Sequence, residues 1–151
     1  EELNLSIIPN SGSACLLTDG KPADFVAWQC LIQARQASLR WRKDSIDLAV
    51  RLLREGLSVA GEDARLYAAL GRASLQYREA GIDFSEERIN EAEACAAKAF
   101  ALAPDLPAGH QLKGWIHYAQ TNIPAAVASL FVALESAPRD PDTLSLLVNC
   151  A

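Results

Sequence analysis

The chain repeats itself, and the repeat limits what it can fold into. Ala92, Ala96, Ala99 and Pro104 are followed, each 34 residues later, by Ala126, Leu130, Ala133 and Pro138. A second series of small residues, Ala37, Gly71, Gly114 and Val148, is spaced by 34, 43 and 34 residues. Ala49 stands 43 residues before Ala92 and is followed by Leu53, Gly56 and Leu57 on the same template, so nine residues inserted between Gly71 and Ala92 explain the one long interval. A period of this length is the signature of a stacked array, in which each unit buries its apolar face only by packing on the next. Small residues at fixed places are what close helix approach demands, since larger side chains would hold the two axes apart.

Local signals divide the array into helices. Residues 107–140 read as one helical hairpin, after which Asp140 is placed to cap a further helix and Pro141 takes its first position, where the missing N–H costs nothing. Upstream, Phe25, Trp28, Leu31, Ile32 and Leu39 keep a helical period from Ala23 to Trp41. Asp44 reads as the cap of a second helix that stops near Gly61, and a third helix runs from Arg65 to Glu79. Ser85, backed by Glu86 and Glu87, opens a fourth that ends near Ala103, the insertion lengthening the third helix and its loop. Units are expected at 30–63, 64–106 and 107–140, with a partial one at 141–151 inside a helical domain spanning 23–151. Residues 1–22 form a separate arm, whose alternating stretch 3–8 and Pro9-Asn10-Ser11-Gly12-Ser13 turn predict a short β-hairpin.

This pattern resembles the tetratricopeptide repeat. Tyr67, Leu70, Gly71, Ala92, Ala99, Phe100 and Pro104 match it in one unit, Gly114, Ala126, Leu130, Ala133, Leu134 and Pro138 in the next, and Leu144, Leu147 and Val148 begin another. Gln33, Gln36, His110 and Lys113 depart from it, standing where the family carries large apolar or aromatic residues. The resemblance implies an all-α fold, a right-handed superhelical solenoid of antiparallel helix pairs, working as a non-enzymatic protein–protein interaction scaffold. In such repeats the first helix of each pair lines a concave groove. Its lining here would be Arg35, Ser38, Trp41 and Arg42, then Arg65, Ala68, Arg72, Leu75 and Gln76, then Gln111, Trp115 and Tyr118. Trp, Tyr and Arg dominate many binding surfaces, so a mixed aromatic and basic groove accepting a protein or peptide segment, acidic in the sharpest version, is expected. The competing reading has Trp41 and Trp115 packed on neighbouring helices and the arginines paired with local carboxylates. The family's Lys/Asn/Arg clamp for chaperone C-termini is not present as a set, because Ala34, Ser38, Ala68 and Arg72 occupy those places. On this register Gly114→Leu is expected to destabilise more than Trp115→Ala.

Composition narrows the function further. A net charge of −5 repels phosphate backbones, so nucleic acid is not an expected partner of this domain. There is no run of apolar residues long enough to span a membrane and no basic-then-apolar leader. The start without Met and the apolar ending LSLLVNCA suggest a piece of a longer chain. Cys15, Cys30, Cys95 and Cys150 show no metal or disulfide spacing, which points to a reducing, cytoplasmic setting and small core thiols. His110 and His117 lie seven apart without a carboxylate or thiol nearby, so buried, locally bonded histidines are expected rather than a metal site. With no nucleophile elbow, phosphate loop or acid–base pair, neither catalysis nor a cofactor is expected. The apolar Leu144, Leu146, Leu147 and Val148 would need a cover, further repeats or a homodimer formed through the last helix or the N-terminal arm. An alternative function is that of a regulatory or sensory module in a larger bacterial signalling protein, attached to a transcriptional activator, nucleotide cyclase or kinase.

Overall fold

The computed structural model describes residues 22–151, which are all-α: α1 (Pro22–Ser38), α2 (Lys43–Ala60), α3 (Ala64–Glu79), α4 (Glu86–Leu102), α5 (Pro107–Ala119), α6 (Ile123–Ser136) and α7 (Pro141–Cys150). The β-hairpin expected near the N-terminus, and Cys15 with it, lie outside the described residues. The helices pack most extensively as the sequential pairs α1–α2, α3–α4 and α5–α6. The first members also touch in a row, α1 to α3, α3 to α5 and α5 to α7, while α2 meets α3, α4 meets α5 and α6 meets α7.

The small residues mark where the helices come closest. A Cβ built on Gly71 would stand 2.6 Å from Leu112 Cδ2 and 3.1 Å from Cys95 Cβ. On Gly114 it would stand 2.6 Å from Leu130 Cδ2 and 2.8 Å from Leu130 Cγ. Ala49, Ala92 and Ala126, the corresponding residues of the second helices, are fully buried. The fourth small position behaves differently: Val148 is 73% exposed, since no described helix packs over it. Leu53, Leu66, Leu75, Leu112, Leu130 and Leu146 are sealed between the helices, and each contributes roughly 1.5–3 kcal/mol by leaving water.

Among the described residues, three helix starts are capped by side chains. Asp63 accepts from the N–H of Arg65 (2.8 Å), Asn122 from that of Ala125 (3.3 Å) and Asp140 from that of Thr143 (2.7 Å). Asp44 does not cap α2. The helix begins at Lys43, and Asp44, already inside its first turn, pairs with Arg42. Ser85 occupies the cap position of α4 without a side-chain bond, and its own N–H is held by Asp83 at 2.9 Å. That bond and the Arg88 guanidinium hold the Asp83 carboxyl down at about 2.

The inserted residues are shared out more evenly than the sequence reading supposes. Compared with the α5–α6 pair, three lengthen the end of α3, three the turn, and three the start of α4. The first helix of every pair ends on a left-handed residue: Trp41 (φ 56°), Gly81 (φ 75°) and Thr121 (φ 60°). Each N–H bonds back three residues, to Ser38 (3.1 Å), Arg78 (3.0 Å) and Tyr118 (2.9 Å). Only glycine adopts this conformation without a Cβ clash, so α1 stops at Ser38 and the chain reaches Trp41 through a strained turn.

Asp47 of α2 accepts a hydrogen bond from the Tyr77 hydroxyl of α3, tying two pairs together. Burial, with this bond to a carboxylate adding to it, pushes the Tyr77 phenol up to about 12. An unfolded tyrosine ionises near 10, so the folded state holds a proton that the unfolded chain releases. Stability from this group is intact below about pH 10 and falls as pH rises towards 12. Denaturant titrations of wild type and Tyr77→Phe across that range are expected to differ in slope, the variant losing less on the alkaline side. Parallel slopes would contradict the assignment.

Candidate binding groove

A groove of about 400 Å³ runs across α1, α3 and α5 and is closed at one end by α7. Its floor is apolar, built from small and aliphatic side chains such as Leu31, Ala34, Leu53, Ala69 and Leu112. Eight residues that the sequence reading places in a groove line it, namely Arg35, Ser38, Trp41, Arg65, Ala68, Arg72, Gln76 and Gln111. Arg42 lies outside this lining and pairs with Asp44 at 3.1 Å. Trp115 does not open into it either: the indole is 8% exposed, its Nε1 finds no hydrogen-bond partner, and the Arg72 guanidinium lies 3.8 Å above the ring. Tyr118 meets Trp115 edge-on at 6.2 Å. Both, with Leu75 and Phe84, line a smaller side pocket of about 160 Å³.

The groove arginines are already neutralised. Arg35 reaches Asp142 at 2.7 Å, Arg65 reaches Asp63 at 2.7 Å and Asp24 at 3.6 Å, and Arg72 reaches Glu79 at 2.5 Å. The hydrogen bond and the charge of its carboxylate partner raise each of Arg35 and Arg65 above the ordinary guanidinium value. Burial raises the Glu79 carboxyl even though Arg72 pulls it the other way. The amides are equally committed: Gln76 donates to the Ser38 carbonyl at 2.8 Å, and Gln111 donates to Asp140 (2.5 Å) and Thr143 Oγ1 (2.8 Å). On the charge question the competing sequence reading describes Arg65, Arg72 and Trp115, whereas Arg35 finds its carboxylate 107 positions away rather than locally. Trp41 differs, since 48% of it is exposed at the groove edge.

Asp142 is the residue that sequence reasoning missed. Its bond to Arg35 links the first described helix to the last across the groove, whereas the helix-start signal in the sequence involves only its neighbours Asp140 and Pro141. Asp142 in the first turn of α7 and Arg35 in the last turn of α1 each complement the dipole of their own helix.

His110 Nε2 lies 3.0 Å from the Pro104 carbonyl and its ring packs edge-on against Phe100 at 4.9 Å, whereas the buried Nδ1 of His117 has no partner. Cys30, Cys95 and Cys150 are free thiols. Burial first, then Glu91, pushes the Cys95 thiol up to about 11, so it carries little thiolate at neutral pH. Among the described residues no group of three His, Cys, Asp or Glu is arranged to hold a metal ion, and no helix is long and apolar enough to cross a membrane. Neither a scan against protein-family models nor a search of curated proteins returned a match.

Proposed function

We propose that this chain is a non-enzymatic protein-interaction module, a solenoid of tetratricopeptide type that holds an extended segment of a partner protein in the groove across α1, α3 and α5. Trp41 carries the reading. A bulky residue in the left-handed region costs roughly 1–2 kcal/mol, and such strain persists mainly where a side chain is needed in a particular place. Here it sets a half-exposed indole beside an apolar floor. Because the arginines are spent on carboxylates of the chain itself, the partner's apolar side chains supply most of the affinity, and an acidic partner has to compete for Arg35, Arg65 and Arg72.

A displayed library of short peptides, panned on the full chain, tests this directly. Binders are expected to share apolar residues and to bind at least about tenfold more weakly to Trp41→Gly. The same variant is expected to stay within about 1 kcal/mol of wild-type stability in denaturant titration, since glycine relieves the backbone strain that the lost contacts would otherwise add to. Binders indifferent to Trp41, or no binders from a diverse library, would remove the groove as the site.

A further inference from the structure

The residues inserted into the second unit build the side pocket. Arg78 and Glu79 end the lengthened α3, Phe84 stands in the enlarged turn, and with Leu75, Trp115, Tyr118 and Ala119 they line a space of about 160 Å³. The shorter α5–α6 pair has no counterpart to these three residues. Phe84 is 67% exposed, yet its turn is pinned on both sides. The Arg78 guanidinium donates to the carbonyls of Phe84 and Ser85 and lies 5.9 Å from the Phe84 ring. Asp83 accepts from the Ser85 N–H at 2.9 Å, and the N–H groups of Ile82 and Asp83 donate to the Tyr77 carbonyl at 2.9 and 3.1 Å. An exposed ring on a held turn is a wall in place before any guest arrives, which spares the cost of ordering it on binding.

The geometry points to this pocket as the seat of one six-membered aromatic ring, a Phe or Tyr side chain of a partner protein, independently of the groove reading. A cavity of about 150 Å³ with aliphatic and aromatic walls holds one benzene molecule, and the volume here matches it. Three of the walls, Phe84, Trp115 and Tyr118, are aromatic, and Trp115 and Tyr118 already meet edge-on at 6.2 Å, an arrangement that a further ring extends and an aliphatic chain does not. The charged lining residues, Arg78 and Glu79, are opposite in sign, which favours a neutral guest. Phe84 at the rim leaves the pocket open to solvent, so a ring inside it keeps one edge outside. A free molecule of this size leaves that edge wet, whereas a side chain brings its own backbone to cover it.

The test is a titration of the full chain with N-acetyl-phenylalaninamide, read by NMR at the Leu75 methyls and the Trp115 indole N–H. Saturable shifts at both are expected, with N-acetyl-leucinamide binding about fivefold more weakly. Phe84→Ala removes an exposed wall and is expected to weaken the aromatic amide about fivefold, with Phe84→Tyr restoring it. Phe131→Ala, at a comparably exposed ring outside the lining, is expected to change nothing. Ala119→Leu fills the pocket and is expected to abolish the shifts. Circular dichroism checks that all variants remain folded. The amide probe does not need the groove, so this outcome and that of the peptide library are independent. Absence of shifts, leucine and phenylalanine amides binding alike, or indifference to Phe84→Ala would overturn the proposal. So would phenol binding more tightly than either amide, which would assign the pocket to a free small molecule.

Discussion

Trp115→Ala is expected to remove about 3–5 kcal/mol of stability, the range for truncating a buried aromatic. The indole packs into the cluster that contains Leu75, Ile89, Leu112, Ile116 and Leu130, and only 8% of it is exposed. Its loss also leaves Arg72 without the ring 3.8 Å beneath it, and Tyr118 without the edge it packs against at 6.2 Å. Trp115→Phe separates volume from polarity. It keeps most of the packing and deletes a buried N–H that has no partner, so its expected loss is smaller, below about 2 kcal/mol. Urea denaturation measures both. An alanine variant within 1 kcal/mol of wild type would mean that the ring faces solvent after all.

Gly114→Leu is the second large effect, expected at about 3 kcal/mol, the upper end for overpacking a filled core. The first added carbon already meets Leu130 Cδ2 at 2.6 Å and Cγ at 2.8 Å, and a γ-carbon cannot swing away as a chain end can. α5 and α6 must therefore separate, and the separation exposes Ala126, now fully buried, along with Leu130. Coupling identifies the cause. In the double variant with Leu130→Ala the two losses are expected to sum to less than their total by at least about 1 kcal/mol, because one change vacates the space the other needs. Strict additivity would place the clash elsewhere. The ranking of the two substitutions thus reverses from the sequence reading, which took Trp115 to face the groove.

That reversal shows what the sequence carries and what it omits. Small residues such as Gly71, Gly114 and Ala126 are legible because close approach leaves them no substitute, and the all-helical architecture follows from their spacing. Arg35, Trp41, Arg65, Arg72, Gln76 and Gln111 could be assigned to one lining from the resemblance to a repeat family together with helical spacing. Their state could not. Whether an arginine is free depends on carboxylates far away in the chain, as with Arg35 and Asp142, 107 positions apart, and no local pattern encodes that. The same holds for Trp115, whose burial comes from Arg72 and the neighbouring helices rather than from its place on α5. The strained turn at Trp41 was hidden for a different reason: tryptophan is not a residue that signals left-handed backbone, so α1 read as running straight through it.

The bond between Arg35 and Asp142 has a mechanical consequence. A row of hairpins in which each touches only its neighbours bends like a spring, with small rotations at every interface adding up along its length. Hooking the first described helix to the last converts that open spring into a loop, so flexing at any one interface must be taken up by the others. The hook is half in water, with 59% and 42% of its two side chains exposed, and a pair of this kind holds with less than about 1 kcal/mol. It therefore ties α1 to α7 only loosely, as a contact that thermal motion breaks and remakes.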